Sequence, residues 1–142
     1  MTIKGLASQL GNGAAWFRFT ISYADLTAAA TTQTIALKTI PAGSILLGLR
    51  VKPSTAFRGT AWSALTVSVG SAVGGATYFA SAFDCYQAVA DTTLQETACF
   101  KAGTIAAQAI NAYFTSTGGN LSVGTAGSVD IDVLWLNCTT SL

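Results

Sequence analysis

The carboxylates of Asp130 and Asp132 are the first candidates for chemistry, because the chain has no histidine and only six acidic residues. Both lie in the stretch SVDIDVLWL, residues 128–136, two positions apart. On a β-strand this spacing directs both side chains to one face, about 7 Å apart at the backbone. Such a pair is compatible in principle with glycosidase carboxylates or with a calcium site.

The neighbours of the two aspartates favour a structural role. Glycosidase carboxylates normally come from different elements and line a cleft, and a calcium site needs more oxygen ligands than two. No DxDxDG-type loop follows the pair. The opposite face of the same strand is wholly apolar, with Val129, Ile131, Val133 and Trp135. The stretch therefore reads as a strand with a wet or interfacial face, and we predict no catalytic residue, metal site or cofactor.

Other reactive groups are few. The absence of histidine removes the Ser-His-Asp and Cys-His arrangements and the usual zinc site. The three cysteines, Cys85, Cys99 and Cys138, are odd in number and lack CxxC spacing, so they read as small buried hydrophobes, with one bridge left open. Glycine is plentiful, yet no GxxxxGK[ST] phosphate loop occurs. The sequence thus indicates a protein that is not an enzyme.

The composition favours association with other subunits. Among the 142 residues 51% are hydrophobic and 9% charged, against a usual charged share of about a quarter. The surface must then consist largely of Ser, Thr, Ala, Gly, Asn and Gln, which protect poorly against self-association. We therefore expect a homo-oligomer, a dimer or a trimer, rather than a monomer.

Charge and hydropathy argue against two classes of partner. The net charge is +1 without a block of like charges, so neither nucleic acid nor an anionic membrane surface is an expected partner. No apolar run approaches the roughly twenty residues of a transmembrane helix. The first fifteen residues lack the apolar region of a secretory signal, so we expect a cytosolic protein or one whose signal has been removed.

The hydrophobic pattern has a period of two almost throughout, which predicts an all-β domain. Long connections suit a jelly roll better than an up-and-down barrel, although both remain open. Pro53 is predicted to end the third strand, and residues 1–15 form an N-terminal arm before a single sandwich domain, 16–142. The expected strands are 16–23, 33–40, 44–52, 64–70, 94–102, 108–117 and 128–136, with 76–89 either one broken strand or a strand and a loop.

Strand order in a jelly roll gives the two aspartates a partner. The last strand usually lies between the first strand and the third or fourth, which would place Asp130 and Asp132 opposite Arg50 and Lys52. The four side chains would then form a cross-strand charge ladder, and Arg18 on the first strand could join it from the other flank. Each such pair contributes a few tenths of a kcal/mol up to about 1 kcal/mol.

The aromatic residues divide into core and surface candidates. Trp135 shares the apolar face of the last strand and is expected in the core. Trp16 begins a strand and Trp62 falls in a predicted loop, so both are candidates for an interface or a sugar platform. The expected interface comprises the arm residues Lys4, Leu6 and Leu10, together with Trp16, Phe57, Arg58 and Trp62.

Several phrases resemble small tailed-phage structural proteins of the capsid-decoration, or cement, type. The phrases are YADLTAAATTQTIAL, VKPSTAFRG, TVSVG, TYFASAFD and FTSTGGNLSVGTAGSVDIDVLW, and the likeness spans residues 16 to 136. The resemblance implies a β-sandwich, often a jelly roll, that oligomerises on the outside of a phage head and clamps neighbouring major capsid subunits. It also implies an extended arm that grips the shell, and it implies no catalytic residues.

Two functions remain open at this point. One is a virion protein, made in the host cytoplasm, that stabilises the outer surface of a capsid. The other is a fibre or tail-associated module that binds a host glycan, with Phe57 and Trp62 as the exposed aromatic site. A glycosidase would rest on the aspartate pair alone.

The charge ladder makes a direct prediction. Reversing the charges of Asp130 and Asp132 should weaken folding or assembly, and reversing Arg50 and Lys52 as well should restore it. Denaturation midpoints of the two variants measure this. A fourfold variant no more stable than the twofold one would contradict the ladder.

Overall fold

Nine strands form from these alternating segments in the part of the chain that the computed structural model describes, residues 2–4, 14–86, 95–101 and 107–136. One-turn 3-10 helices lie at Tyr23–Asp25 and Leu121–Val123. The strands are β1 Thr2–Lys4, β2 Ala14–Ser22, β3 Thr32–Ile40, β4 Ile45–Gly59, β5 Ala64–Ser71, β6 Gly75–Asp84, β7 Gln95–Lys101, β8 Gln108–Thr117 and β9 Gly124–Leu136. No helix within these ranges is long and apolar enough to cross a membrane.

The strands form two antiparallel sheets that pack as a sandwich, which confirms the predicted fold class. Sheet A has the order β1-β2-β9-β4-β7 and sheet B the order β3-β8-β5-β6. An up-and-down barrel would pair each strand with the next in sequence, so this order excludes it. The predicted place of the last strand is confirmed, since β9 lies between β2 and β4. The order agrees with the jelly-roll arrangement.

The core lies between the inner faces of the two sheets. On β9 the side chains of Val129, Ile131 and Val133 are fully buried, as the alternation predicts. They face an equally apolar sheet B, to which the buried residues Leu65 and Phe114 belong. Burying a side chain of this size contributes about 1.5–3 kcal/mol. The core therefore fixes which face of each strand points outward.

Pro53 does not end the third predicted strand, and that prediction is wrong. Strand β4 continues through Pro53 to Gly59 and stays paired with β9, with a register shift just after the proline. The described pairing of β4 with β7 ends at Val51, so the missing N–H of Pro53 removes no bond from that ladder. Phe57, expected in a loop, is consequently a strand residue.

A second irregularity changes the face of β4. Strict alternation would place Ile45 and Leu47 on the same face as Leu49 and Val51, but Leu46 is the buried residue at that end. The register of β4 against β9 shifts just after Leu46. One extra residue in a strand exchanges inward and outward positions, because side chains alternate with a period of two.

The segment 76–89 is a strand followed by a non-strand stretch, since β6 ends at Asp84. Cys85 is fully buried, and burial raises the pKa of its thiol to about 12, with the nearby Asp84 carboxylate adding to the rise. It therefore behaves as the small hydrophobe that was predicted. The side chain of Cys99 and all of Cys138 lie outside the described residues.

The arm prediction is only partly covered by the described residues. Thr2–Lys4 pairs with β2, with Lys4 opposite Arg18, and β2 begins at Ala14, two residues before the expected start. Leu6 and Leu10 lie outside the described residues, as does the side chain of Lys4. The arm and its role in an interface stay predictions.

Gly127 provides a test of the packing at the bend of β9. Its φ is +128°, and an added Cβ would lie 2.4 Å from Cγ and 2.5 Å from Cα of Phe57. Gly127→Ala should therefore lower the free energy of unfolding by about 3 kcal/mol, from backbone strain and overpacking. The matched control is Gly48→Ala, whose Cβ would meet ordinary contacts at 3.9 and 4.0 Å.

Chemical denaturation of the two variants measures the difference. Gly48→Ala should keep or slightly raise the stability of the wild-type protein, since alanine has less freedom in the unfolded chain. Equal free energies of unfolding for the two variants would contradict the close approach of Gly127 and Phe57.

Candidate functional site on the outer face of sheet A

The outer face of sheet A gathers the charged residues that the sequence singles out. Because β9 lies between β2 and β4, Asp132 faces Arg18 on one side and Arg50 on the other, in register. Their sequence neighbours Phe19, Val133 and Leu49 point into the core. Alternation therefore directs the three charged side chains outward.

Asp132 is held by both arginines at once. Arg18 donates from Nε to Oδ1 at 2.7 Å and from Nη2 to Oδ2 at 2.9 Å. Arg50 donates from Nε and Nη2 to Oδ2 at 2.9 and 2.6 Å. The Asp132 side chain is only 7% exposed, whereas the arginines are 33% and 38% exposed. The carboxylate is thus covered by two guanidinium groups on the solvent side of the sheet.

The ionisation of Asp132 follows from these contacts. Burial alone would raise the pKa of its carboxyl, but the hydrogen bonds and positive charges of Arg18 and Arg50 outweigh burial and hold the pKa below its usual value. The same pair raises the pKa of Arg18, chiefly through the hydrogen bond to Asp132. Asp132 and Arg18 are therefore both charged at neutral pH.

The second pair of the predicted ladder, Lys52 and Asp130, differs from the first in its hydrogen bonding. Lys52 lies opposite Asp130 in register, and the hydroxyl of Thr20 donates to Asp130 Oδ1 at 2.7 Å. Since Arg18 also binds Asp132, reversing only the four ladder residues would set Arg18 against a new positive charge. Full restoration in the charge-reversal experiment therefore requires Arg18 to be reversed as well.

The Asp132 carboxylate binds two guanidinium groups and is not arranged for proton transfer. Both oxygens of Asp132 accept hydrogen bonds from guanidinium groups, and its pKa is lowered, whereas a general acid needs a raised one. Among the described residues no group of three or more His, Cys, Asp or Glu side chains could hold a metal ion. The geometry supports a structural or interfacial role for the aspartates.

An apolar area adjoins the arginines on the same face. Trp16 and Gly48 both lie opposite Leu134, and the Trp16 ring reaches across, with Cη2 3.9 Å from the position of a Cβ at Gly48. Ile45 and Leu136 pair beyond them. These five residues, all half-buried, are named the Trp16 patch. Trp and Arg are the residue types that most often dominate binding energy at interfaces.

The sequence contained a signal for this patch that the prediction did not use. Leu134 and Leu136 occupy the same alternating positions as Asp130 and Asp132. Apolar residues on an otherwise polar strand face indicate a covered or contacting surface. Of the predicted interface residues, the structure places Trp16 in this patch.

Phe57 and Trp62 are not surface residues, and their assignment to an interface or sugar site is wrong. Phe57 is 0% exposed and Trp62 is 5% exposed. The Trp62 indole N–H donates to the Asn120 carbonyl at 2.8 Å, and its ring packs so closely on Gly59 and Gly124 that neither position has space for a Cβ. Both aromatic rings stabilise the core because glycines let the backbone approach them.

Arg58 is exposed but tied to its own chain. Its Nη1 donates to the carbonyl oxygens of Phe57 and Tyr86, and its guanidinium lies 4.8 Å from the centre of the Tyr86 ring. These contacts fasten the stretch after β6 to the end of β4. They give Arg58 a structural role, while its role in an interface stays a prediction.

Comparison with known proteins gives a shared fold. No protein-family model and no curated protein sequence matches the chain. Three solved structures contain chains similar to it over 96% of its length. They are the cyanophage Pam1 capsid asymmetric unit (TM-score 0.60, 19% identity), the acidic stable capsid of Helicobacter pylori bacteriophage KHP30 (0.59, 14%) and the capsid of Ralstonia phage GP4 (0.61, 16%).

The matched chains are covered nearly as completely as this one. The likeness spans 93%, 94% and 92% of the three matched chains, in the same order. The matched chains are thus whole small chains of similar length. At these identities the likeness shows that the fold is the same.

Asp132→Asn tests the role of the doubly bound carboxylate. The amide keeps the shape but loses the charge that two arginines share, so the free energy of unfolding at pH 7 should fall by about 2 kcal/mol. The control Asp130→Asn removes a carboxylate that accepts from a neutral hydroxyl and should cost less than about 1 kcal/mol. Urea denaturation of the two variants measures both values.

The pH dependence gives a second measurement on the same variants. Because the folded-state pKa of Asp132 is lowered, its contribution is complete above the unfolded-state pKa of about 3.9 and is lost as pH falls through the folded-state pKa. The stability difference between the wild-type protein and Asp132→Asn should therefore shrink below about pH 4. A difference that stays constant down to pH 2 would contradict this assignment.

Proposed function

We propose that the chain is a non-enzymatic structural protein of a phage virion that decorates the capsid. It binds as a homo-oligomer across neighbouring major capsid subunits on the outer surface of the head and stabilises the shell. The observation that carries this proposal is the fold shared with chains of three phage capsid structures over nearly the whole length of both partners. Because the likeness covers nearly the whole of each matched chain, it supports an accessory component of the capsid.

The outer face of sheet A supports the proposal chemically. It combines the Trp16 patch with the exposed guanidinium edges of Arg18 and Arg50, which are 33% and 38% exposed. Each guanidinium uses Nε and Nη2 for Asp132, and no other acceptor among the described side chains binds it, so a partner could supply an acceptor for a remaining N–H. An apolar anchor beside oriented donors is the composition of a binding hot spot.

The stabilising mechanism is thermodynamic linkage. A ligand that binds the assembled shell and not its separated subunits favours the shell by an amount that grows with the ratio of its concentration to its dissociation constant. An oligomer that contacts two subunits adds avidity, because the second contact forms within one complex. No catalytic group is needed for either effect.

The glycan-binding alternative loses its proposed site. It depended on Phe57 and Trp62 as exposed aromatics, and both are buried. The glycosidase alternative depended on a carboxylate that two arginines bind.

Co-sedimentation with capsids assembled without this protein tests the proposal. The wild-type protein should pellet with the capsids and raise the temperature at which they are disrupted. Trp16→Ala should weaken binding by about thirtyfold, as truncation of a central interface Trp typically does. Tyr23→Ala, which removes another exposed aromatic beyond the far end of β2, should bind like the wild-type protein.

Circular dichroism of both variants confirms that they are folded. Wild-type protein that stays in the supernatant would contradict the proposed function. Equal binding of Trp16→Ala and Tyr23→Ala would contradict the Trp16 patch as the contact.

A further inference from the structure

The charged residues are divided unequally between the two sheets. Six of the seven Lys and Arg residues lie on strands of sheet A, together with three of the six acidic residues. The strands of sheet B carry one cation, Lys38, and one anion, Asp84. The two outer faces of the sandwich therefore offer different chemistry to partners.

The outer face of sheet B carries mainly small and hydroxyl-bearing side chains. Lys38 is not part of it, because its ammonium lies 4.4 Å from the centre of the Phe17 ring of sheet A. Asp84 lies at its rim, where its carboxylate accepts the N–H of Tyr86 at 2.8 Å. Three cross-strand rows form the face, Thr32-Thr115-Thr66, Thr34-Tyr113-Ser68 and Ala36-Asn111-Gly70.

A groove of about 440 Å³ runs over this face. One side is formed by Ala76 and Thr77 of the edge strand β6. Most of the other lining residues bear hydroxyl groups, among them Thr34, Ser68 and Tyr113, and none of them is charged. The groove can therefore receive an uncharged segment without burying an ionised group.

The turn between β5 and β6 presents an exposed apolar side chain, Val73, three residues before the groove residue Ala76. Val73 is 82% exposed, the largest value among the exposed large hydrophobic residues of the described chain. The turn is held firmly, because the N–H of Gly74 donates to the buried Ser71 hydroxyl at 2.9 Å and the Tyr78 ring packs on Gly74. Val73 is therefore a preorganised projection.

We propose that the outer face of sheet B binds a second copy of this chain about a two-fold axis. In this dimer the Val73 turn of each copy enters the groove of the other. A two-fold interface requires a surface that is complementary to itself, and a projection beside a groove on one face satisfies that requirement. The contact is reciprocal, so each dimer contains it twice.

The charges select this face over the other for self-association. Two copies joined through the outer face of sheet A would remove its arginines, Lys52 and the two aspartates from water, which costs free energy of desolvation. The rows of sheet B bring mainly hydroxyl and small apolar groups together, with the Asp84 carboxylate at the edge strand β6. This arrangement leaves the arginines and the Trp16 patch free for the shell.

Variants at the two halves of the contact test the dimer by sedimentation velocity. The wild-type protein should be dimeric, and Val73→Asp should raise the dimer dissociation constant by about thirtyfold because it drives a carboxylate into a neutral groove. Thr34→Lys should weaken the dimer in the same way from the groove side. The control Thr55→Asp, at an exposed position of β4 in sheet A, should leave the dimer unchanged.

Combining Val73→Asp with Thr34→Lys should restore the dimer, since each new carboxylate then faces a new ammonium of the other copy. A monomeric wild-type protein, a dimer that survives Val73→Asp, or a double variant that stays monomeric would overturn the proposal. Thermal unfolding midpoints verify that each variant is folded.

The dimer rests on the proposed function only because that function includes an oligomer. Capsid co-sedimentation of the monomeric Val73→Asp variant distinguishes a failure of the dimer contact from a failure of capsid binding. A monomer that still binds capsids, with reduced avidity, agrees with both. A wild-type dimer that ignores capsids would overturn the proposed function and leave the dimer contact in place.

Discussion

The arrangement of sheet A depends on the register of strand β9 between its two neighbours. Its inner face fills the core with Val129, Ile131 and Val133, and its outer face holds Asp132 between Arg18 and Arg50. The first contribution is hydrophobic and does not depend on direction, whereas the second requires a particular register. A slip of one residue would send the aspartate into the core and the valines into water. The ion pairs and the core therefore specify the same arrangement.

The same strand also determines the different chemistry of the two outer faces of the sandwich. With β9 in the centre of sheet A, the strands that flank it bring most of the basic residues to one side of the sandwich. The outer face of sheet B carries rows rich in hydroxyl groups, and Val73 is exposed at the hydrogen-bonded turn between β5 and β6. A chain with 9% charged residues thus presents two outer faces of different chemistry, which the proposed contacts with the shell and with a second copy would use.

Much of this could be predicted from the sequence because alternation is a local signal. The stretch 128–136 alone shows the apolar face, the aspartate face and the strand. Strand-order reasoning then placed it beside residues 44–52, where Arg50 is indeed opposite Asp132. Features that depend on where a partner strand stops were not predictable in this way. Pro53 lies inside β4 because the described pairing with β7 ends at Val51, and no local pattern carries that information.

The aromatic errors have a related origin. The sequence predicts a loop between the strands 44–52 and 64–70, which puts Phe57 and Trp62 on the surface. Distant glycines, Gly127 and Gly124, instead let the chain close over them. The Trp16 patch was missed as a unit because its members come from three strands. Each member is ambiguous alone, and only the registers bring Trp16, Gly48 and Leu134 together.

Electron cryomicroscopy of the virion that contains this chain tests the central claim most directly. The account predicts density for the sandwich on the outer surface of the head, at boundaries between major capsid subunits, with the outer face of sheet A against the shell. Density for the chain only at the tail, or on the head with the outer face of sheet A turned to solvent, would contradict it.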